Sequence, residues 1–349
     1  MIVTENQGVV LHTYNGIQLA QFTPSAQVSL KWTRTLREVS ACDLTVPTGT
    51  VGVADLVPWL HWISVWDLDA RELLWTGPIL KVTEGEDTLA ITSRDISSLM
   101  ARTRTPITKA WEAKDPSVIA RELWAAMIEL HNLNVSPIAR VDPEGDPFDF
   151  DVTADSDLLD KAMDDLVGLG LRWSVVSGVP ILGPAPTDPV ATLGERDFIG
   201  AAFTVVRDGA LTYNDVLLRG ADYSARARVD LAGLNLQTLV SVDDMFGISN
   251  VDRAVKQYAR HTASIRSALT LPGGVELHPD APVTIDELIP SARFVIEARG
   301  IQVLMELEQI EVTRGAGELS VTASFESITE LPELADTTSS IGGVGGLSL

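Results

Sequence analysis

The residue types that do chemistry are present but scattered. The histidines His12, His61, His131, His261 and His278 show no metal-ligand spacing, and Cys42 is the single cysteine. No G-x-S-x-G, H-E-x-x-H, C-x-x-C, P-loop or dinucleotide fingerprint occurs. Asp142, Glu144, Asp146, Asp149 and Asp151 crowd one loop. Ca²⁺ favours such carboxylates, but they miss the EF-hand register and three flank prolines. No catalytic, cofactor-binding or metal-ligating residue is therefore assigned, and no enzyme or cofactor is expected. Trp59, Trp62, Trp66 and Trp75 form the densest aromatic group. Stacked aromatics bind sugar rings, and they also pack cores and subunit interfaces. Trp62 and Trp66 lie inside the apolar run LHWISVWD, which favours packing.

The elements that position these residues are mostly strands. Asn15-Gly16 between two apolar runs is a hairpin signal. Val28, Leu30 and Trp32 share one face of the next strand, and Cys42, Leu44 and Val46 one face of another. Residues 1–93 thus supply about seven strands, a barrel or small sandwich, closed by a short helix at Ser93–Met100. Asp115-Pro116 caps a helix whose apolar face carries Ile119, Leu123, Met127 and Leu130. A second helix spans Ser156–Val167, and two strands joined by Ser177-Gly178 follow. After the linker PAPTDP, strands return. Asn250 opens a helix expected to reach Ala268, with Arg253, Lys256, Arg260 and Arg266 as a basic stripe. A change of apolar parity between Leu307 and Ile310 predicts a bulge near Gln309. The end of the sequence, TTSSIGGVGGLSL, reads as flexible.

One hairpin occurs twice. LKVTEGEDTLAIT (Leu80–Thr92) and IEVTRGAGELSVT (Ile310–Thr322) align without a gap, offset by 230 positions. Leu80, Val82, Leu89 and Ile91 recur as Ile310, Val312, Leu319 and Val321. Two readings stay open: hairpins look alike because turns demand Gly and strands demand β-branched residues, or the chain carries an internal duplication. These eight residues are candidate assembly edges, because an unpaired strand edge invites a neighbouring strand.

With 48 acidic and 26 basic residues the net charge is −22. Phosphate binding needs a cationic surface, so sequence-specific nucleic acid is not an expected partner. No run of about 18 apolar residues suggests a membrane span. The N-terminus lacks the basic and apolar regions of a signal peptide.

KWTRTLREVSACDLTVP (Lys31–Pro47), WTGPILKV (Trp75–Val82), SRDISSLM (Ser93–Met100) and LEQIEVTRGAGELSVTASFES (Leu307–Ser327) together resemble minor tail proteins of long-tailed phages, especially those of actinobacteria. Those proteins are in turn similar to the baseplate hub of contractile-tailed phages. The resemblance implies an α+β chain with two β-barrel-like tube domains and α/β insertions. Its implied divisions are a first tube domain at 1–102, an α/β insertion at 103–187, a second tube domain at 188–330 with a helical insertion near 248–270, and a flexible tail at 331–349. It also implies a homotrimeric hub at the virion tail tip, adapting a sixfold tail tube to threefold tip components and lining the DNA channel. Implied partners are the distal tail protein or tail tube above, other tail-tip or fibre proteins, and the tape-measure protein. No hydrolase or fibre domain is read, so cell-wall cutting is expected from another protein. The alternatives are a carbohydrate-binding receptor module using the Trp group, and a cell-wall hydrolase.

Overall fold

Alternating apolar residues and Gly-containing turns produce a mostly β chain with few helices. In the computed structural model the strands are β1 (Gln7–Thr13), β2 (Gln18–Phe22), β3 (Ser29–Thr35), β4 (Ala41–Pro47), β5 (His61–Asp67), β6 (Glu72–Glu84) and β7 (Thr88–Arg94), then a 3₁₀ turn, Ile96–Arg102. Next come β8 (Lys109–Lys114), α1 (Pro116–Leu130), β9 (Ile138–Ala139), β10 (Phe148–Val152), α2 (Leu159–Gly168), β11 (Trp173–Val176), β12 (Val179–Leu182), β13 (Ala191–Gly194) and β14 (Phe198–Ile199). Then follow β15 (Thr204–Asp208), β16 (Asp215–Arg219), β17 (Tyr223–Val229), β18 (Gln237–Ser241), α3 (Ile248–Thr262) and β19 (Arg266–Thr270). The last are β20 (Val275–Leu277), β21 (Arg293–Ala298), β22 (Ile301–Gly315), β23 (Glu318–Ser327) and β24 (Leu334–Ile341). The structure describes all residues except 1, 3–5, 53–54, 144, 186–187, 201–202, 221–222, 243–247, 264–265, 272–273, 316–317, 329–333 and 342–349. Glu144 of the acidic loop and the glycine-rich end of the tail thus lie outside the described residues.

Two compact units divide the chain: residues 1–203 with 271–326, and residues 204–270 with 327–349. The first unit is built on one sheet in the order β14-β20-β23-β22-β3-β4-β7-β6-β5-β1-β2, with β21 also on β22 and β13 on β21. Its buried residues follow the period of two: Leu30 and Trp32 on β3, Cys42, Leu44 and Val46 on β4, Leu89 and Ile91 on β7, Ile310 and Val312 on β22. Among the described residues no closed barrel is found. A barrel from residues 1–102 would need β3 to meet β2, but β3 lies on β22 instead, with Lys31 opposite Thr313 and Gln309 opposite Thr35.

The repeat is larger than the hairpin. Antiparallel β5-β6-β7 has its counterpart in antiparallel β21-β22-β23, in the same order. A register shift between Ile79 and Lys81 on β6 stands at the place where β22 passes from pairing with β21 to pairing with β3.

Between the repeats, α1 and α2 form their own core. Asp115 caps α1 through Ser117 N–H, and Pro116 begins the helix. The buried face of α1, carrying Ile119, Leu123, Trp124 and Met127, joins Met163 and Leu166 of α2, Trp173 of β11 and Leu99 and Met100 of the 3₁₀ turn. Each such side chain contributes about 1.5–3 kcal/mol on burial.

In the second unit α3 lays Val251, Val255 and Ala259 on Val216, Leu218, Ala225 and Ala227 of a sheet ordered β18-β16-β17-β24. The helix ends at Thr262, short of the expected Ala268, because residues 266–270 extend to pair with β15. Within the stretch expected to be a flexible tail, residues 334–341 form β24, antiparallel to β17.

Candidate functional site

The aromatic group divides. Trp75 is 2% exposed and belongs to the core, while Trp66 is 36% exposed on β5. Trp59 and Trp62 meet Tyr14, Pro78, Leu99, Arg102, His131 and Leu133 around a cleft of about 380 Å³. Trp59 takes a positive φ of 69° and donates its backbone N–H to the Ile79 carbonyl at 2.8 Å. Tyr14 stands beside the Asn15-Gly16 turn, its ring centroid 6.4 Å from that of Trp62. Its hydroxyl donates to the carbonyls of His131 and Asn132, just past the C-terminus of α1. His131 Nε2 lies 2.7 Å from Thr103 Oγ1, and burial lowers its pKa. The cleft is thus aromatic, with Arg102 as its cation. The indole N–H of Trp62 is buried and has no acceptor among the described residues. Sequence reasoning missed Tyr14, Arg102 and His131. Tyr14 was findable from its turn, but the meeting with α1 was not.

The hairpin candidates do not stand together at a free sheet end. Leu89, Ile91, Ile310, Val312 and Val321 are buried, and Leu80, Val82 and Leu319 are half-buried. β7 is held between β4 and β6, β23 between β20 and β22, and residues 309–314 of β22 carry β3. Five of the eight, Leu89, Ile91, Ile310, Val312 and Val321, are therefore taken up by the core, which corrects the expectation of open edges at those positions. The second half of β6 is the exception. Residues 72–78 pair with β5 and residues 79–84 with β7, so Leu80–Glu84 has a strand on one side among the described residues.

Groups with shifted ionisation are structural. Asp95 is buried, and burial pushes its pKa up to about 6 against hydrogen bonds from Ser97 and Ser40. Arg34 is 1% exposed, stacks 5.3 Å from the Trp32 ring, and is lowered to about 10 by burial. Asp142 of the acidic loop pairs with Arg172, and Asp149 accepts from Ala113 N–H. No cluster of three metal-ligating residues occurs among the described residues.

No family model and no curated protein matches the chain. Solved structures do. The tail protein from Neisseria meningitidis MC58 superposes with a TM-score of 0.63 at 14% identity, over 93% of this chain and 98% of its own. The chain has the fold of phage tail proteins. The 43 kDa tail protein of prophage MuSo2 from Shewanella oneidensis gives 0.61 at 13% identity, over 91% and 98%. Prophage tail protein gp18 from Listeria monocytogenes gives 0.54 at 11%, over 90% and 94%. The tail-protein fold spans nearly the full length of both partners in each comparison.

Proposed function

We propose that this chain is a non-enzymatic structural protein of a phage virion, a homotrimeric hub at the tail tip. The observation that carries the reading is the tail-protein fold over nearly the whole chain. The duplicated three-strand unit supports the finer part: two repeats in each of three chains give six similar positions, matching a sixfold tube above and threefold parts below. The repeats would serve as the two tube domains around a channel for DNA and the tape-measure protein. With a net charge of −22, an acidic wall would keep DNA from adhering. Electron microscopy of the concentrated protein tests this: a threefold ring with a central hole and six lobes is expected, and a twofold or fourfold assembly overturns it.

The aromatic cleft favours a second reading, recognition of host cell-wall polysaccharide. Tyr14, Trp59 and Trp62 line the cleft with aromatic rings, and the buried indole N–H of Trp62 has no acceptor among the described residues. Retention on cell-wall polysaccharide that is lost in folded Trp59→Ala or Trp62→Ala supports it. Retention unchanged in both variants rejects it.

A further inference from the structure

The repeat gives an address for the contact between copies. In the first repeat β3 pairs with β4 and β4 with β7, with Lys31 opposite Asp43 and Asp43 opposite Thr92. In the second repeat β14 pairs with β20 and β20 with β23, with Ile199 opposite Glu276 and Glu276 opposite Thr322. Thr322 is the counterpart of Thr92, so Ile199 stands where Lys31 stands, and Phe198 where Leu30 stands. The outer edge of β3 is used: it lies on β22 of the other repeat, Lys31 opposite Thr313 and Leu30 opposite Arg314. The outer edge of β14 and its counterpart site on β6, Leu80–Glu84, have no strand partner among the described residues. Ile199 is 44% exposed, and Lys81, Thr83 and Glu84 are exposed.

We propose that a second copy of this chain fills this gap: β14 of one copy adds antiparallel to Leu80–Glu84 of the next, with Ile199 opposite Thr83 and Phe198 opposite Glu84. The two edges differ, so the contact runs head to tail and generates a ring when the rotation closes. It repeats between chains the junction that β3 and β22 make within one. Lys81 takes the place of Glu311, which answers Lys31 within the chain at 2.8 Å. A lysine on an open edge also discourages pairing with unrelated strands until the right partner docks. The number of copies rests on the hub reading; the address rests on the repeat.

A Thr83→Cys/Ile199→Cys chain tests the address by oxidation and non-reducing electrophoresis. Opposed Cα atoms in antiparallel strands lie within disulfide range, and Cys42 is fully buried and does not compete. Covalent dimers and trimers that vanish on reduction, absent from either single variant, are the expected result. Lys31→Cys/Thr313→Cys, the counterpart pair within one chain, should bridge at monomer size and shows that this register can be linked. If that control bridges and the test pair does not, the proposed edge is overturned. Microscopy of the same sample then separates the readings: threefold rings keep the hub, and monomers remove both. A ladder running past the trimer keeps the edge and rejects the ring of three.

Discussion

Arg172 Nε lies 2.8 Å from Glu306 Oε1, tying the residue just before β11 to a strand of the second repeat. The same guanidinium reaches Asp142 at 3.3 Å. Glu306 is 7% exposed, and burial raises its pKa although Arg172 works against the rise. Arg172→Met leaves that carboxylate buried beside its lost partner and should cost about 3 kcal/mol at pH 7. A raised carboxyl pKa means that the native state takes up a proton before the unfolded chain does. The deficit should therefore shrink as pH falls below neutrality. Denaturant melts of Arg172→Met at pH 7 and pH 5 check this; an equal deficit at both contradicts it.

Asp95 gives a second pH signature. Its native pKa of about 6 exceeds the ordinary 3.8 because the carboxyl is buried. Keeping it ionised costs stability above pH 6, on the order of 3 kcal/mol from the size of the shift. That cost is relieved as pH drops through 6 towards 4. Asp95→Asn lacks the titration, so the Tm gap between wild type and variant should move in favour of wild type from pH 7 to pH 5. A gap that stays flat would show that Asp95 does not titrate there.

Arg34 holds two parts of the first unit together with no carboxylate in contact among the described residues. It donates to the carbonyl of Ile285 at 2.8 Å and of Leu74 at 3.2 Å. Arg34→Met keeps the apolar stem but takes a buried donor from both carbonyls, leaving that of Leu74 the Ser177 hydroxyl at 3.5 Å, and should lower stability by about 2–4 kcal/mol. Arg34→Lys has no planar fork to span the two acceptors and should recover only part of the loss. Urea unfolding of the two variants separates lost donors from lost volume.

Gly77 has a steric reason. A Cβ there would stand 2.0 Å from the Arg94 carbonyl oxygen. Gly77→Ala should cost about 3 kcal/mol by overpacking a backbone that cannot withdraw. At Gly85, in the hairpin turn, an added Cβ would meet nothing nearer than 3.4 Å. Gly85→Ala should stay within about 1 kcal/mol, and thermal melts of the pair give the contrast.

Local chemistry was legible in the sequence where local forces decide. Alternation placed Cys42, Leu44 and Val46 on one buried face, Asp115-Pro116 began α1, and the Asn15-Gly16 turn formed with Gly16 at a φ of 88°. The 80/310 match pointed to a repeat that extends through β5-β6-β7 and β21-β22-β23. What failed was set far along the chain. Nothing near β3 announces that its edge lies on β22, and that one pairing leaves an open sheet where barrels were expected. Arg266–Thr270 continues an amphipathic helical pattern but is drawn out as a strand by β15. In the aromatic cleft Trp59 and Trp62 were legible as a group, whereas His131 and Arg102 arrive through tertiary packing.

The strands β14 and β20 stand in the second repeat where β3 and β4 stand in the first, yet the chain leaves at Ile199 and returns only at Val275. A tight turn in one repeat is thus a doorway in the other. Doubling the length of a connection costs only about 0.6 kcal/mol in closure entropy. The second repeat can therefore carry an insertion at that doorway, completed by β24 from beyond β23, while every register in its sheet stays fixed. Variation among chains of this architecture should collect between those two strands and leave the sheet itself unchanged.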